Sequence, residues 1–223
     1  MEGVNFVVVL LLLVPLSRVL FHLWVWIGHR FPNTEELFGI DIARKVVSRL
    51  NIITKPSVML GEKGDYFDPK SNLVKLSNKN NQKTIASTAI TMHEIGHAMQ
   101  YNSGWMIYKF RCKIIRAKIP LIYMSATAIV LGFSDDLFFK IAIVTLICLG
   151  ICILTELIVE IDASIRGYKL FCSEFKTRPF ERVLIKVILF FAAFTYFVDF
   201  INSLQIILNI LIVLASAKDA EEK

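Results

Sequence analysis

Residues 91–100 read TMHEIGHAMQ and contain the spacing His-Glu-x-x-His at His93, Glu94 and His97. Four residues advance an α-helix by about 400°, so the two histidines would stand on one face, within reach of a single metal ion. Glu94 is offset by one position and would address a water molecule beside that ion. Residues 85–100 contain no proline and a single glycine, which favours a helix. The stretch predicts a helical metal site; the alternative is a surface helix with two unrelated histidines.

The same spacing is typical of zinc-dependent peptidases, in which the glutamate acts as general base. Intramembrane metalloproteases also use it, but their motif must lie within a membrane helix. Here Lys79 and Lys83 precede the motif closely and Lys109 follows it, which indicates a site in the cytoplasm or at the membrane surface. The alternative from another class is a non-enzymatic membrane adaptor with a structural or regulatory zinc. A structural site has no use for a general base, so Glu94 argues against that alternative.

The composition excludes an ordinary soluble domain, because 55% of the 223 residues are hydrophobic. The net charge of +6 is concentrated in residues 28–119, which hold fifteen Lys/Arg against seven Asp/Glu. The positive-inside rule and anionic lipid explain basic residues beside membrane helices, so we expect membrane lipid as a partner and no nucleic acid. The cysteines lack metal-type spacing and are expected to be reduced and structural; they are Cys112, Cys148, Cys152 and Cys172.

Hydropathy divides the chain into five segments. Residues 4–27 are predicted to form a retained transmembrane anchor, and residues 119–159 a transmembrane helical hairpin. Residues 183–217 are predicted to form a C-terminal membrane helix that is either long or broken, since the apolar run would extend about 50 Å against a hydrocarbon core of about 30 Å. Residues 28–118 and 160–182 are the polar segments between them.

The two polar segments are predicted to share the cytoplasmic side, because residues 28–118 are strongly basic and residues 160–182 hold five Lys/Arg. Within the first of them, strand candidates at 57–60 and 73–76 precede the motif helix, which Thr84 could cap. We therefore predict a mostly α membrane protein. It would be a helical membrane bundle with a small cytoplasmic α+β zinc peptidase unit.

Four stretches carry a family resemblance: residues 36–49 (ELFGIDIARKVVSR), 65–77 (DYFDPKSNLVKLS), 86–100 (ASTAITMHEIGHAMQ) and 159–164 (VEIDAS). In order and spacing the chain resembles the YugP-like neutral zinc metallopeptidases, a family of bacterial membrane-anchored gluzincins. It departs modestly, with Ile161 in place of an aromatic residue and Ile158 in place of proline. The resemblance implies a gluzincin-like unit and a multi-pass protein of the bacterial cytoplasmic membrane, with its active site facing the cytoplasm.

A catalytic zinc ion takes three protein ligands and keeps one open position. The histidine pair supplies two ligands, and no other histidine fits the third, since His22 lies in the anchor and His29 directly after it. The residues alone leave three carboxylates open after the third membrane segment, namely Glu156, Glu160 and Asp162.

The resemblance selects among these carboxylates. It implies that His93, His97 and Glu160 hold one Zn²⁺ ion per chain. It further implies that Asp162 and Ser164 orient the ligand histidines through their other ring nitrogens.

The reaction implied is hydrolysis of a peptide bond by a zinc-activated water, with Glu94 as general base. Tyr168, Tyr196 and Arg166 are candidates for stabilising the oxyanion. The substrate would be a peptide or protein of unspecified sequence, and further partners could be other membrane proteins or a second copy of the chain. Gluzincins align their substrate on an edge strand before the motif helix, which here would comprise Leu73, Val74, Lys75 and Leu76.

Overall fold

The computed structural model describes residues 2–52, 54–62, 64–132 and 136–221, and within these ranges the chain forms seven helices and one three-stranded sheet. This confirms the mostly helical class with a small sheet. The helices are α1 (Glu2–His29), α2 (Gly39–Arg49), α3 (Ile85–Asn102), α4 (Met106–Ile114), α5 (Lys118–Gly132), α6 (Asp136–Glu174) and α7 (Pro179–Glu221). The strands are β1 (Ser57–Gly61), β2 (Tyr66–Asp68) and β3 (Leu73–Ser77).

Three of the described helices are long and apolar enough to cross a membrane, through Leu12–His29 in α1, Leu137–Glu174 in α6 and Pro179–Ile210 in α7. Helix α5 has only 15 residues and spans about 22 Å, less than the hydrocarbon core. It qualifies only together with α4, from which it is bent by 57°. The predicted hairpin at 119–159 thus pairs one short helix with part of a much longer one. Its turn at residues 133–135 lies outside the described residues.

Helices α6 and α7 are both unbroken. Helix α6 has 39 residues, or about 58 Å, and the boundary predicted between residues 159 and 160 falls inside it. Helix α7 has 43 residues, so the predicted segment at 183–217 lies within one long helix and is not broken. The turn that carries Glu160 is therefore a direct extension of an apolar helix.

Helices α1 and α7 lie side by side and antiparallel. Trp24 stacks on Phe191 with ring centroids 6.1 Å apart, and further along the pair Arg18 Nη2 donates to Asp199 Oδ2 at 2.8 Å. Near the end of α1, a Cβ on Gly28 would meet α7 at 2.7 Å and α3 at 3.0 Å. The end of α1, the start of α7 and the motif helix α3 therefore meet at one end of the bundle.

The sheet corrects one prediction. Strand β3 is central, since it runs parallel to β1 and antiparallel to β2. The assignment of Leu73–Leu76 as a substrate edge strand is wrong, because residues 73–75 pair with strands on both sides. Sequence reasoning misses β2 because its three residues lie among turn-forming residues such as Gly64 and Pro69. Strand β2 is an edge of the sheet, and it packs against α3.

Helix α3 begins as predicted, with Thr84 as its cap: the Ser87 backbone N–H donates to Thr84 Oγ1 at 3.4 Å. Most of its residues are buried, because the sheet, α2, α6 and α7 all pack around it. A helix buried on all sides has fixed neighbours, so side chains on α3 can be held in defined positions.

Helices α3 and α6 approach each other at two glycines. A Cβ on Gly96 would lie 2.2 Å from the carbonyl oxygen of Ala163, and a Cβ on Gly167 would lie 2.4 Å from the carbonyl oxygen of Met92. Each glycine therefore meets the backbone of the opposite helix, and neither leaves room for a side chain. This crossing sets the motif residues of α3 against the turn of α6 that contains Glu160.

Replacing Gly96 by alanine should force α3 and α6 apart, because the new methyl group would overlap a backbone carbonyl. We expect a loss of about 1–3 kcal/mol in unfolding free energy and weaker zinc binding. Thermal unfolding and zinc competition in detergent would measure both. Gly150→Ala is the matched control on α6, since a Cβ there meets its nearest atom only at 4.0 Å. A Gly96→Ala protein with the parent's melting temperature and zinc affinity would contradict the role assigned to this crossing.

Candidate metal centre

The structure brings the three predicted ligands together. His93 Nε2 and His97 Nε2 lie 3.2 and 3.3 Å from the same oxygen, Glu160 Oε2. Within the described part of the chain this is the one group of three or more His, Cys, Asp or Glu residues that could hold a metal ion. Their ligand atoms all lie within 4.8 Å of one another, and Glu160 is almost fully buried.

Two of the three spacings in this group are compatible with zinc. Ligands about 2.0–2.1 Å from a tetrahedral ion lie about 3.3–3.4 Å from one another, close to the two histidine–glutamate distances found here. Two imidazoles and one carboxylate are also a donor set found in catalytic zinc sites. Three atoms with lone pairs converge in a buried position, and a cation there would satisfy all three.

The other nitrogen of each imidazole ring has its own partner. Ser164 Oγ lies 3.2 Å from His93 Nδ1, and Gln100 Oε1 lies 2.9 Å from His97 Nδ1. Because the Gln100 oxygen can only accept, His97 donates through Nδ1, which leaves its Nε2 free to bind a metal. Ser164 thus contacts His93 at the ring nitrogen that does not face Glu160.

Asp162 reaches the histidines only through Gln100. Gln100 Nε2 donates to Asp162 Oδ2 at 2.9 Å and to the carbonyl oxygen of Val159 at 2.7 Å, so the amide links α3 to α6. Asp162 also pairs with Arg166. Sequence reasoning misses Gln100, although its position three residues after His97, on the same helix face, is a usable signal.

Basic residues hold Glu156 and Glu160, two of the glutamates of α6, in different positions. Glu156, one turn before Glu160, pairs with Lys118 at 2.6 Å and does not belong to the group of candidate metal ligands. Arg111 of α4 donates to Glu160 Oε1 at 3.2 Å, which holds one carboxylate oxygen and leaves the other facing the histidines. Arg111 is also missed from sequence, where it reads as one of several basic residues beside a membrane helix.

Glu94 is buried and lies next to this cluster in the chain and in space. Burial raises the pKa of its carboxyl to about 7, while the charge of His93 works in the opposite direction. A hydrogen bond with the backbone of Phe67, in the edge strand β2, also favours the ionised form. A pKa near neutral suits a group that must accept and release a proton in one reaction cycle.

A cavity of about 830 Å³ reaches both His93 and Glu94. Of the three residues considered for oxyanion stabilisation, Tyr196 lines this cavity. Arg166 is instead paired with Asp162, and Tyr168 packs against the hydrophobic core. Of the three candidates, Tyr196 is therefore the one that shares a cavity with His93 and Glu94.

Residues 5–215 match the protein family described as "Putative neutral zinc metallopeptidase". The chain belongs to this family. A relative, the "Putative membrane protease YugP" of Bacillus subtilis (strain 168), is 26% identical over 198 residues, which cover 81% of this chain and 82% of the relative. No solved structure matches the chain. Family membership confirms the resemblance, and a metal cluster of two histidines and one glutamate is compatible with the zinc that the family's description names.

Replacing Glu160 by alanine should weaken zinc binding more than the same change at Glu156 or Asp162, because it removes a ligand atom. For Asp162→Ala we expect zinc affinity to fall about 10–100-fold, because Asp162 acts through Gln100. For Glu156→Ala we expect almost no change in zinc affinity. Titration against a competing chelator would rank the three variants. If Glu156→Ala proved the weakest binder, the third ligand would be misplaced by one helical turn.

Proposed function

We propose that this chain is a gluzincin-type zinc metallopeptidase with one zinc ion per chain, acting at the cytoplasmic face of the bacterial cytoplasmic membrane. The observation that carries the proposal is the convergence of His93, His97 and Glu160 beside a buried carboxylate, Glu94, with His93 and Glu94 both lining one cavity. Family membership supports the same activity. A purely structural zinc site would gain nothing from a carboxylate buried next to it at an energetic cost.

The chain's own residues divide the work of hydrolysis. Zinc at this centre would supply Lewis acidity, which acidifies water and polarises a carbonyl. Glu94 would accept the proton of the attacking water and deliver it to the leaving amine. Ser164 and Gln100 would hold the ligand histidines in place through the hydrogen bonds described above.

The remaining roles concern the substrate. The Tyr196 hydroxyl would donate to the oxygen of the carbonyl under attack, where negative charge develops. The substrate-aligning edge would be β2, since it packs against α3 and its Phe67 backbone contacts Glu94. An extended peptide can add to such an edge through backbone hydrogen bonds.

The membrane arrangement follows from the bundle and from charge. Helices α1, α5, α6 and α7 would cross the bilayer, with the short α5 and the first part of α6 forming the hairpin, and the basic segments 28–118 and 160–182 would lie on the cytoplasmic side. Support comes from the contacts among α1, α3 and α7 and from those of Glu160, which bring both segments to the same end of the bundle.

Replacing Glu94 by glutamine should leave zinc bound and lower peptidase activity by about 10²–10⁴-fold, because the change keeps the shape and removes the base. Zinc content and hydrolysis of a peptide mixture, measured on the purified full chain, test this. Glu62→Gln, at an exposed position, is the control. Zinc loss in a folded Glu94→Gln protein would assign Glu94 a structural role, and full activity would remove it from the mechanism.

Tyr196→Phe should lower kcat by about 10²–10³-fold with little change in KM, the pattern expected when a donor to the oxyanion is lost. Steady-state kinetics on one cleaved peptide would separate the two constants. Tyr123→Phe is the matched control, because Tyr123 is 70% exposed on α5. An unchanged kcat would exclude Tyr196 from the reaction.

Labelling of single cysteines should reveal the orientation. In a chain whose native cysteines are replaced by alanine, cysteines at Glu62 and Lys176 should be shielded from an impermeant thiol reagent in intact cells. A cysteine at Ser134 should react, because the sequence from Ser134 to Asp136 lacks the basic residues that keep a segment in the cytoplasm. Opposite labelling of all three sites would invert the orientation. Labelling of only one of the first two would separate the histidines from Glu160 and refute the metal centre.

A further inference from the structure

The cavity at the metal centre extends well beyond it. On α1 it is lined by residues between Arg18 and His29, and on α7 by residues between Ile188 and Asp199. Eleven steps along a helix cover about 16 Å, so the cavity follows both helices for this distance within segments apolar enough to span a membrane. We call the part between α1 and α7 the membrane slot; its walls include Phe21, Trp26, Ile188 and Ala192, and its far end is formed by Arg18 and Asp199.

Most of the walls of the membrane slot are apolar, formed by Phe21, Val25 and Trp26 from α1 and by Ile188, Leu189 and Ala192 from α7; His22, Thr195 and Tyr196 also line it. The apolar surface stabilises apolar side chains, and the polar groups offer hydrogen bonds to the backbone of the same segment. At about 3.3 Å per residue, the slot could seat about five residues of an extended chain.

The far end of the membrane slot is charged. Arg18 and Asp199 form an ion pair of 2.8 Å, and their side chains are 59% and 37% exposed, so neither is enclosed by the protein. Charged groups at this depth are expensive and are found facing a cavity or a partner. The pair therefore places hydrogen-bond donors and acceptors where lipid has none.

A peptide that is cut must present an extended backbone to the metal centre. Within a bilayer, an extended backbone has N–H and C=O groups that lipid cannot satisfy, so it is tolerated only against protein or water. The membrane slot joins such polar groups at its far end to the reacting residues His93 and Glu94 at its near end. A lipid chain would contact only the apolar part of the walls and would offer no hydrogen bond to the polar groups at either end of the slot.

We propose that the membrane slot seats an apolar, membrane-embedded segment of the substrate, and that the enzyme cuts membrane-inserted peptides near the point where they leave the bilayer. This inference rests on the proposed peptidase function and names its substrate class. The segment enters between α1 and α7, and the bond to be cut is the one that reaches the end of the slot at Glu94.

Filling the membrane slot tests the proposal. The full chain in phosphatidylcholine nanodiscs is given a synthetic peptide with an apolar segment of about 20 residues and a polar tail, or the tail alone. Ala192→Trp should lower cleavage of the spanning peptide by about tenfold or more, with zinc content and cleavage of the tail alone unchanged. Ala193→Trp, on the next residue of α7 and outside the cavity lining, should leave cleavage of the spanning peptide at the parent rate.

Two results of that experiment would overturn the proposal. One is cleavage of the spanning peptide by Ala192→Trp at the parent rate, which would mean that lipid and not the substrate occupies the membrane slot. The other is an equal loss on both peptides, which would mean that the indole disturbs the metal centre itself.

Cross-linking tests occupancy without catalysis and with a smaller substitution. In the Glu94→Gln chain with its native cysteines replaced, and with a copper–phenanthroline oxidant added, Ala192→Cys should form a disulfide with a cysteine in the apolar segment of the spanning peptide, and Ala193→Cys should not. Capture without any cleavage by the parent chain would refute the peptidase function and leave the membrane slot as a peptide-binding site. Equal or absent capture at both positions would refute the slot, whatever the activity.

Discussion

The close crossing of α3 and α6 is the constraint on which the site depends. Gly96 and Gly167 each meet a backbone carbonyl of the opposite helix at a distance that excludes a Cβ. Only this approach allows two histidines on one helix to face a carboxylate on the other at 3.2–3.3 Å. Zinc–ligand distances tolerate errors of only a few tenths of an ångström. A larger distance between α3 and α6 would therefore prevent zinc binding even in a chain that still folds.

The contacts around the crossing hold it in register. Gln100 joins His97 on α3 to Asp162 and the Val159 carbonyl on α6, while Arg111 of α4 fixes the outer oxygen of Glu160. Because α6 continues without a break into its apolar part, the position of Glu160 is coupled to the packing of the bundle. The candidate metal centre and the long apolar helices are thus packed together, and the cavity between α1 and α7 reaches His93 and Glu94.

Local signals in the sequence predict local structure here. The cap at Thr84, the histidine spacing and the apolar helices can all be read from neighbouring residues. The family resemblance adds Glu160, which spacing alone leaves among three carboxylates. Features that depend on residues distant in the chain cannot be predicted in this way. Strand β3 is central because strands pair with it on both sides. Arg111 and Gln100 are distinguished from other polar residues only by their contacts with α6, 49 to 62 residues away.

X-ray absorption at the zinc edge, on the purified full chain, would test most directly whether His93, His97 and Glu160 hold a zinc ion. We predict one zinc ion per chain, with two imidazole nitrogens and carboxylate or water oxygens at about 2.0–2.2 Å and no sulfur ligand. Glu160→Ala should lose an oxygen ligand or the metal itself, while the imidazole signature should disappear only when His93 or His97 is changed. A sulfur shell at about 2.3 Å, or an unaltered spectrum in the Glu160→Ala protein, would contradict the metal centre formed where α3 and α6 cross.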